Sequence, residues 1–278
     1  MKGNLGIIGC PMLEDEIVHV IGRDSEIDEV YVVRNEECDG VVEKLSKAGL
    51  AFSLIEASAI GSLPRDGYGV VVLMKSLGLH QEPEELRDDI MRTAHSLDGE
   101  FDSIVLFYGL CGNAFKDLDL LTDDMTTPVF ILRDRQGRIV DDCIAAPLGG
   151  TDGYLALLKR YPGVMYHTPA FAIKWEEMLY KMEMLRGVED IEDPFAFSKM
   201  LFEMAGYEKV LIIRTGLGDE ELADAKTKEF AELYDFRIEE LEPGWCSLHV
   251  TEDAWESART PLNGASASRP MGEAGREA

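Results

Sequence analysis

The chain is predicted to fold as an α/β protein with a central, mostly parallel sheet and helices on both faces. Three observations predict it. Short apolar runs recur along the sequence, amphipathic segments lie between them, and the runs break into turns that carry Gly or Pro. Residues 5–9 read as the first strand. A helix follows over residues 13–21, with Leu13, Ile17, Val20 and Ile21 on one face. Residues 29–33 form a second strand and residues 41–48 a second helix. Further strands are expected at 51–55 and 69–74. Pro83 fits the first turn of a helix over 84–94, and strands at 103–108 and 128–132 complete the first set.

A second set begins near Ile144, with a helix through 154–159 and a strand at 164–167. A long Met-rich helix is expected over 172–185, and another is expected from Pro194 through Ala205. The run Lys209 to Thr215 is the clearest strand in the chain. A helix over 219–233 and a strand over 237–240 close the set. No linker rich in Pro, Gly or Ser separates the sets, so they read as two associated αβ lobes with a Rossmann-like plan. The boundaries are 1–143, 144–245 and a terminal segment 246–278, largely disordered after about 260, where large apolar residues thin out.

A net charge of −26 sets limits on partners. Such a surface repels phosphate backbones and anionic lipids, so nucleic acid and membranes are not expected partners. Five cysteines, an odd number, follow a start without the apolar core of an export signal. Reduced thiols in a cytoplasm are the expected state.

Four patches put a thiol or an imidazole where an apolar run ends: Cys10 in Gly9-Cys10-Pro11, His80 in Gly78-Leu79-His80, Cys111 in Gly109-Leu110-Cys111-Gly112-Asn113, and Cys143 in Asp142-Cys143-Ile144. In a parallel sheet the carboxyl ends of the strands share one edge, where ligands bind. Sulfur and nitrogen donors gathered there suit zinc, with an iron–sulfur cluster as the variant. Cys10, His80, Cys111 and Cys143 are therefore the expected metal ligands. Cys111 is also the expected reactive group, with Tyr108 supplying a hydroxyl. Gly109, Gly112 and Asn113 form the turn through which a ligand or metal would approach. Helix starts behind Cys10 and Cys111 are expected to favour their thiolates.

His167 is a second imidazole candidate. Thr215 to Asp219 is a faint echo of a phosphate-binding turn, with an ordinary helix start as the simpler reading. Cys38 reads as a surface residue, Cys246 as packed, and His19 and His95 as ordinary helix residues without partners. There is no Cys-x-x-Cys, no His-Glu-x-x-His, no Walker lysine loop and no Gly-x-Ser-x-Gly elbow.

In order, these patches resemble the domain-of-unknown-function 1638 family of methanogenic archaea and other anaerobes. The resemblance rests on Cys10 with the acidic helix behind it, Leu79-His80, Tyr108 to Asn113, Asp142-Cys143-Ile144 with Leu148-Gly149, and Ile212 to Gly216. His167-Thr168-Pro169-Ala170-Phe171 departs from the aromatic-Thr-x-Gly-Trp pattern of that family. The resemblance brings no established activity. It implies a setting beside corrinoid-dependent one-carbon metabolism, with a corrinoid or methyltransferase protein as an expected partner. A corrinoid bound directly is not expected, because no Asp-x-His-x-x-Gly pattern occurs.

Three functional expectations follow. The first is a zinc site that activates a thiol or water for group transfer. The second is a metal-free pair, Cys10 and Cys111, acting as acid and base as in cofactor-independent racemases. The third is a non-catalytic carrier, with the helix bearing Met178, Met182 and Met184, and Met200 nearby, as an adaptable apolar surface.

Overall fold

The computed structural model describes residues 1–77, 82–180 and 193–264. His80, Met182 and Met184 lie outside them. The first lobe contains β1 (Gly3–Gly9), a 3-10 turn Pro11–Leu13, α1 (Glu14–Arg23), β2 (Glu29–Val33), α2 (Asp39–Lys47), β3 (Ser53–Ile55), β4 (Tyr68–Met74), α3 (Pro83–Ser96), β5 (Ser103–Phe107), α4 (Leu118–Leu121) and β6 (Val129–Ile131). The second contains α5 (Thr151–Arg160), β7 (Val164–His167), α6 (Pro169–Ile173), α7 (Trp175–Tyr180), α8 (Pro194–Met204), β8 (Lys209–Ile212), α9 (Glu220–Tyr234) and β9 (Arg237–Glu240). Helix α10 (His249–Arg259) ends the set.

The strands form two all-parallel sheets, one of six in the order β3-β2-β4-β1-β5-β6 and one of three in the order β7-β8-β9. Alternation places successive side chains on opposite faces of the larger sheet. Leu5, Ile7, Val105 and Phe107 pack on one face with Ile17, Leu45 and Trp255, from α1, α2 and α10. Ile8, Ile104 and Leu106 pack on the other with Leu86, Ile90 and Leu118, from α3 and α4. Helices thus cover both faces in a Rossmann-like α/β plan.

Strand β1 leads to β2 on one side of the sheet, and β5 leads to β6 on the other. The chain therefore diverges between the carboxyl ends of β1 and β5, which is where parallel sheets open a binding crevice.

The structure departs from the sequence-based expectation in its helices. The single helix expected from residue 172 is two helices. Thr168 caps the first, accepting a hydrogen bond from the Phe171 N–H at 3.3 Å, and Pro169 occupies its first turn. That cap starts the helix three residues early, and it closes at Lys174 before the buried Trp175 begins α7.

Helix α10 was not expected. Its Val250, Thr251, Ala254, Trp255 and Ala258 form a helical stripe buried against the first sheet. Trp255 Nε1 donates to Asp24 at 3.1 Å, and Arg259 pairs with the same carboxylate at 2.9 Å. A 3-10 turn over Thr260–Asn263 follows it and buries Leu262 against the same core.

The second lobe is organised around rings. Phe202, Phe230, Tyr234 and Phe236 meet mostly edge to face, with Trp175 against them. His167 at the end of β7 joins this cluster, 4.8 Å from the Phe230 ring and 5.4 Å from that of Phe171. Its Nδ1 meets the Thr227 hydroxyl at 2.9 Å, and burial pushes its pKa down to about 3. The folded protein holds this imidazole neutral, whereas the unfolded chain protonates it near 6.5. Stability from this group is full above pH 6.5 and is lost as pH falls toward 3. Between pH 7 and pH 4 the wild type should lose about 3 kcal/mol more than a His167→Asn variant. Urea unfolding of both proteins at the two pH values measures the difference, and parallel curves would remove His167 as its source.

Candidate functional site

Three of the four expected ligands converge at the crevice. Cys10 follows β1, its N–H donating to the Phe107 carbonyl at the end of β5 at 3.3 Å. Cys111 lies four residues beyond β5, and Cys143 follows the Ile139–Asp141 segment that runs beside it. All three thiols are free of disulfides. They are near enough to raise one another's pKa: Cys10 acts on Cys111, and both act on Cys143. Tyr108 joins them, its hydroxyl influenced by Cys10 and Cys111. That hydroxyl is buried, with no hydrogen-bond partner among the described residues.

The turn that carries Cys111 is tightly constrained. Leu110 N–H donates to the Val140 carbonyl at 2.7 Å, and Cys111 N–H to that of Asp141 at 2.9 Å. A Cβ on Gly109 would stand 2.5 Å from the Val140 oxygen, so only glycine allows the two segments this close. Cys111, Gly112 and Asn113 then take left-handed conformations in succession, with φ of 45°, 71° and 72°. At Gly112 a Cβ would also meet Pro83 at 2.7 Å. The left-handed region costs a cysteine about 1–2 kcal/mol, and such outliers cluster at functional sites.

Burial dominates the electrostatics. Cys10 caps the helical turn ahead of α1 without a side-chain hydrogen bond, and although the neighbouring Met12 amide favours thiolate, desolvation pushes its thiol up to about 12. Cys111 is pushed up to about 12 for the same reason, against the opposing influence of the Gly109 amide. Cys143 is raised by burial first and by the Asp142 carboxylate second. The thiolates expected from helix starts are thus not formed: no helix starts directly behind Cys111, where α4 waits until Leu118, and behind Cys10 a helix end contributes about 0.3–1 kcal/mol, well below the desolvation of a buried charge. In the absence of an added cation the cluster holds neutral thiols.

The segment bearing His80 lies outside the described residues. Its flanks do not: Leu77 packs in the apolar cluster that Cys10 and Cys143 adjoin, and Pro83 stands over Gly112. His167 lies in the second lobe's aromatic core, separated from the thiols by Phe171, which packs against the same apolar cluster. Cys38 is not a surface residue; it is 6% exposed and packs beneath α2 with Val41 and Leu45. His19 and His95 have partners, Glu252 at 3.0 Å and Asp124 at 3.2 Å. The Thr215 to Asp219 turn is an ordinary helix start, because the Asp219 carboxylate takes the Leu222 N–H that an anion would need.

Sequence reasoning missed one contributor. Glu16 is buried and acts on Cys143, with its own carboxyl pushed up to about 7 by burial and then by Asp15. Asp142 accepts the Ile144 and Ala145 N–H groups at 2.8 and 2.9 Å, which fixes the turn beneath Cys143. Acidic residues in a helix's first turn are common on solvated surfaces, which disguised Glu16.

As a donor set, three half-buried cysteines are soft, which is the chemistry zinc takes. Among the described residues, no three His, Cys, Asp or Glu side chains already stand in a metal-holding arrangement. Nor does any described helix have the length and apolarity to cross a membrane.

The left-handed backbone at residue 111 reverses the usual order of substitutions. Cys111→Gly should be more stable than Cys111→Ala by about 1 kcal/mol, although glycine removes more side chain. Gly109→Ala should cost at least about 2 kcal/mol, since the carbonyl it meets belongs to the backbone. Urea midpoints of the three variants decide this, and Ala above Gly at position 111 would contradict the backbone reading.

Beyond geometry, comparison with known proteins gives one result. No curated protein and no solved structure matches the chain. The model of the family described as "Protein of unknown function (DUF1638)" matches residues 74–249, a span that includes Cys111, Cys143 and both flanks of the His80 segment, and the chain belongs to that family.

Proposed function

We propose that the β1/β5 crevice is a metal centre, zinc in first place and an iron–sulfur cluster in second, held by Cys10, Cys111 and Cys143 with His80 as the fourth ligand. The observation that carries this reading is the convergence of three unpaired, half-buried cysteines at the divergence point of the sheet. Buried neutral thiols near 12 are neither bases nor nucleophiles at neutral pH. A divalent cation reverses that, because a coordinating thiol is deprotonated outright. Leu77 and Pro83 bring the chain on either side of His80 to the cluster, three residues away in each direction. When bound, zinc would supply a Lewis acid that lowers the pKa of a ligating thiol or water. The chain's own residues do the rest: the left-handed turn holds Cys111, Asp142 fixes the turn at Cys143, and Tyr108 offers a hydroxyl beside the thiols.

The corrinoid and methyltransferase setting fits such a centre, since thiols and methyl groups are what activated sulfur handles. In that setting the protein is an enzyme or accessory factor of methyl transfer, working in the cytoplasm.

Anaerobically purified wild type should carry about one metal ion per chain by elemental analysis. Cys111→Ser should bind it more weakly by more than the roughly 10–100-fold that an outer-shell change costs. Equally little metal in both proteins would end this reading.

One observation favours the metal-free acid/base pair as a second reading: Cys10 and Cys111 follow adjacent strands of the sheet, each beside a backbone amide that favours its thiolate. The pair predicts rapid, pH-dependent alkylation of one thiol that chelators leave unchanged. Slow labelling that accelerates once metal is stripped would favour the metal centre.

A further inference from the structure

The groove between the two lobes holds a second site that uses none of the cysteines. A cavity of about 900 Å³ opens there, with α1 and α2 on one side and α6 and the turn before α9 on the other. This is the size of a small-molecule site.

Its floor is acidic and incompletely paired. Glu14 is 1% exposed. Lys44 stands 3.3 Å from its Oε2 and Lys174 3.7 Å from its Oε1, and neither oxygen accepts a hydrogen bond among the described residues. Asp15 pairs with Lys44 at 2.8 Å through Oδ1, while its buried Oδ2 likewise has no donor. Buried carboxylate oxygens without donors are costly, and a ligand that brings donors recovers that cost. Glycines keep the floor in place: a Cβ on Gly40 would run into the Glu14 carboxylate, and one on Gly218 would come within 2.8 Å of Asp15 Oδ2.

The charges fix the sign of the ligand. Lys44 and Lys174 are engaged at the floor, and Lys47 is engaged at the rim by Glu43 at 2.8 Å and Asp219 at 3.6 Å. Glu220 and Glu221 lie beside Asp219, so six carboxylates line the cavity against three ammonium groups. An anion is disfavoured. A bare metal ion is far smaller than the cavity, and no described trio of Asp, Glu, His or Cys is arranged to hold one. Val18, Ile173, Leu217 and Leu222 add apolar wall suited to a carbon skeleton.

We infer that this inter-lobe cleft binds a small organic cation with N–H donors, a primary amine or a guanidinium. Its N–H groups meet Glu14 and Asp15, and its carbon chain lies along the apolar wall. The N–H groups are the discriminating feature, because a quaternary ammonium carries the same charge but leaves the carboxylate oxygens without donors.

Isothermal titration calorimetry of the full chain with putrescine and agmatine tests this, with tetramethylammonium and inorganic phosphate as comparators. Both amines should bind, with affinity falling as salt rises, and tetramethylammonium should bind at least about tenfold more weakly. Glu14→Gln should weaken amine binding by about tenfold or more, since hydrogen bonds to charged groups contribute about 1.5–3 kcal/mol. Ala48→Trp, a substitution at an exposed position on the cavity wall, should weaken it without altering the carboxylates. Cys111→Ser should bind the amines as the wild type does, so this site and the metal centre stand or fall separately. No binding of either amine at millimolar concentration would overturn the inference. So would tighter binding of phosphate, equal binding of tetramethylammonium, or unchanged affinity in folded Glu14→Gln and Ala48→Trp proteins.

Discussion

The burial of β1 is the constraint on which the rest of the molecule depends. All seven residues of Gly3–Gly9 are buried, hydrogen-bonded to β4 on one side and β5 on the other. Leu5 and Ile7 serve one core and Ile8 the other, each contributing about 1.5–3 kcal/mol of apolar burial. A strand so enclosed has no freedom at its end. A Cβ on Gly9 would stand 2.6 Å from the Ile17 side chain, so α1 returns directly over the strand terminus. Cys10 is left in the short connection, facing the gap toward β5. The position of the first thiol is thus a consequence of packing, and the other two reach the same gap through the turn at residue 111 and the segment hydrogen-bonded to it.

Desolvation then decides what the site is like. The helix start behind Cys10 and the amide beside Cys111 both favour thiolate, and both are outweighed by burial. Chemistry at this edge is therefore conditional. It needs a positive charge from outside the cluster, since Lys174, a cation that acts on Cys10, also pairs with Glu14. The strained conformation at Cys111 belongs to the same picture: the hydrogen bonds to the 140–141 segment over-determine the turn and hold a cysteine where glycine would be more comfortable.

Much of this was legible in the sequence because it is local. The strands at 29–33, 164–167 and 237–240 announce themselves by apolar run and flanking turn, and their bounds match those observed. The shared position of the three cysteines followed from a single rule, that strand ends in a parallel sheet face one edge. What was missed depends on tertiary partners. Helix α10 has a clear helical stripe, but its small residues and its Thr mute the apolar signal, and its anchor is Asp24, more than two hundred positions away in sequence. Cys38 sits among Asn, Glu and Asp in sequence, which suggests a surface; the cap of α2 turns it inward regardless. The early start of α6 depended on recognising Thr168-Pro169 as a cap, ahead of the apolar residues that drew attention.

The acidic composition takes on a different meaning at one point of the fold. Most of the charge behind the net −26 can be solvated, and the run Glu14-Asp15-Glu16 looks like more of the same, a favourable first turn for a helix. All three are buried. Successive residues on a helix diverge by about 100°, so the three carboxylates cannot serve one neighbour. Glu14 and Asp15 turn to the inter-lobe cleft, where Lys44 meets both, and Glu16 acts on Cys143. One helical turn therefore borders both the cysteine crevice and the cleft, and Ala170 packs at the apolar cluster beside the thiols while lining the cleft as well. The two sites thus share a wall and a run of buried acidic residues, each facing a different part of that run. Burying carboxylates without donors is costly, so the first turn of α1 depends on the charges its neighbours bring to it, Lys44 from α2 and Lys174 at the end of α6.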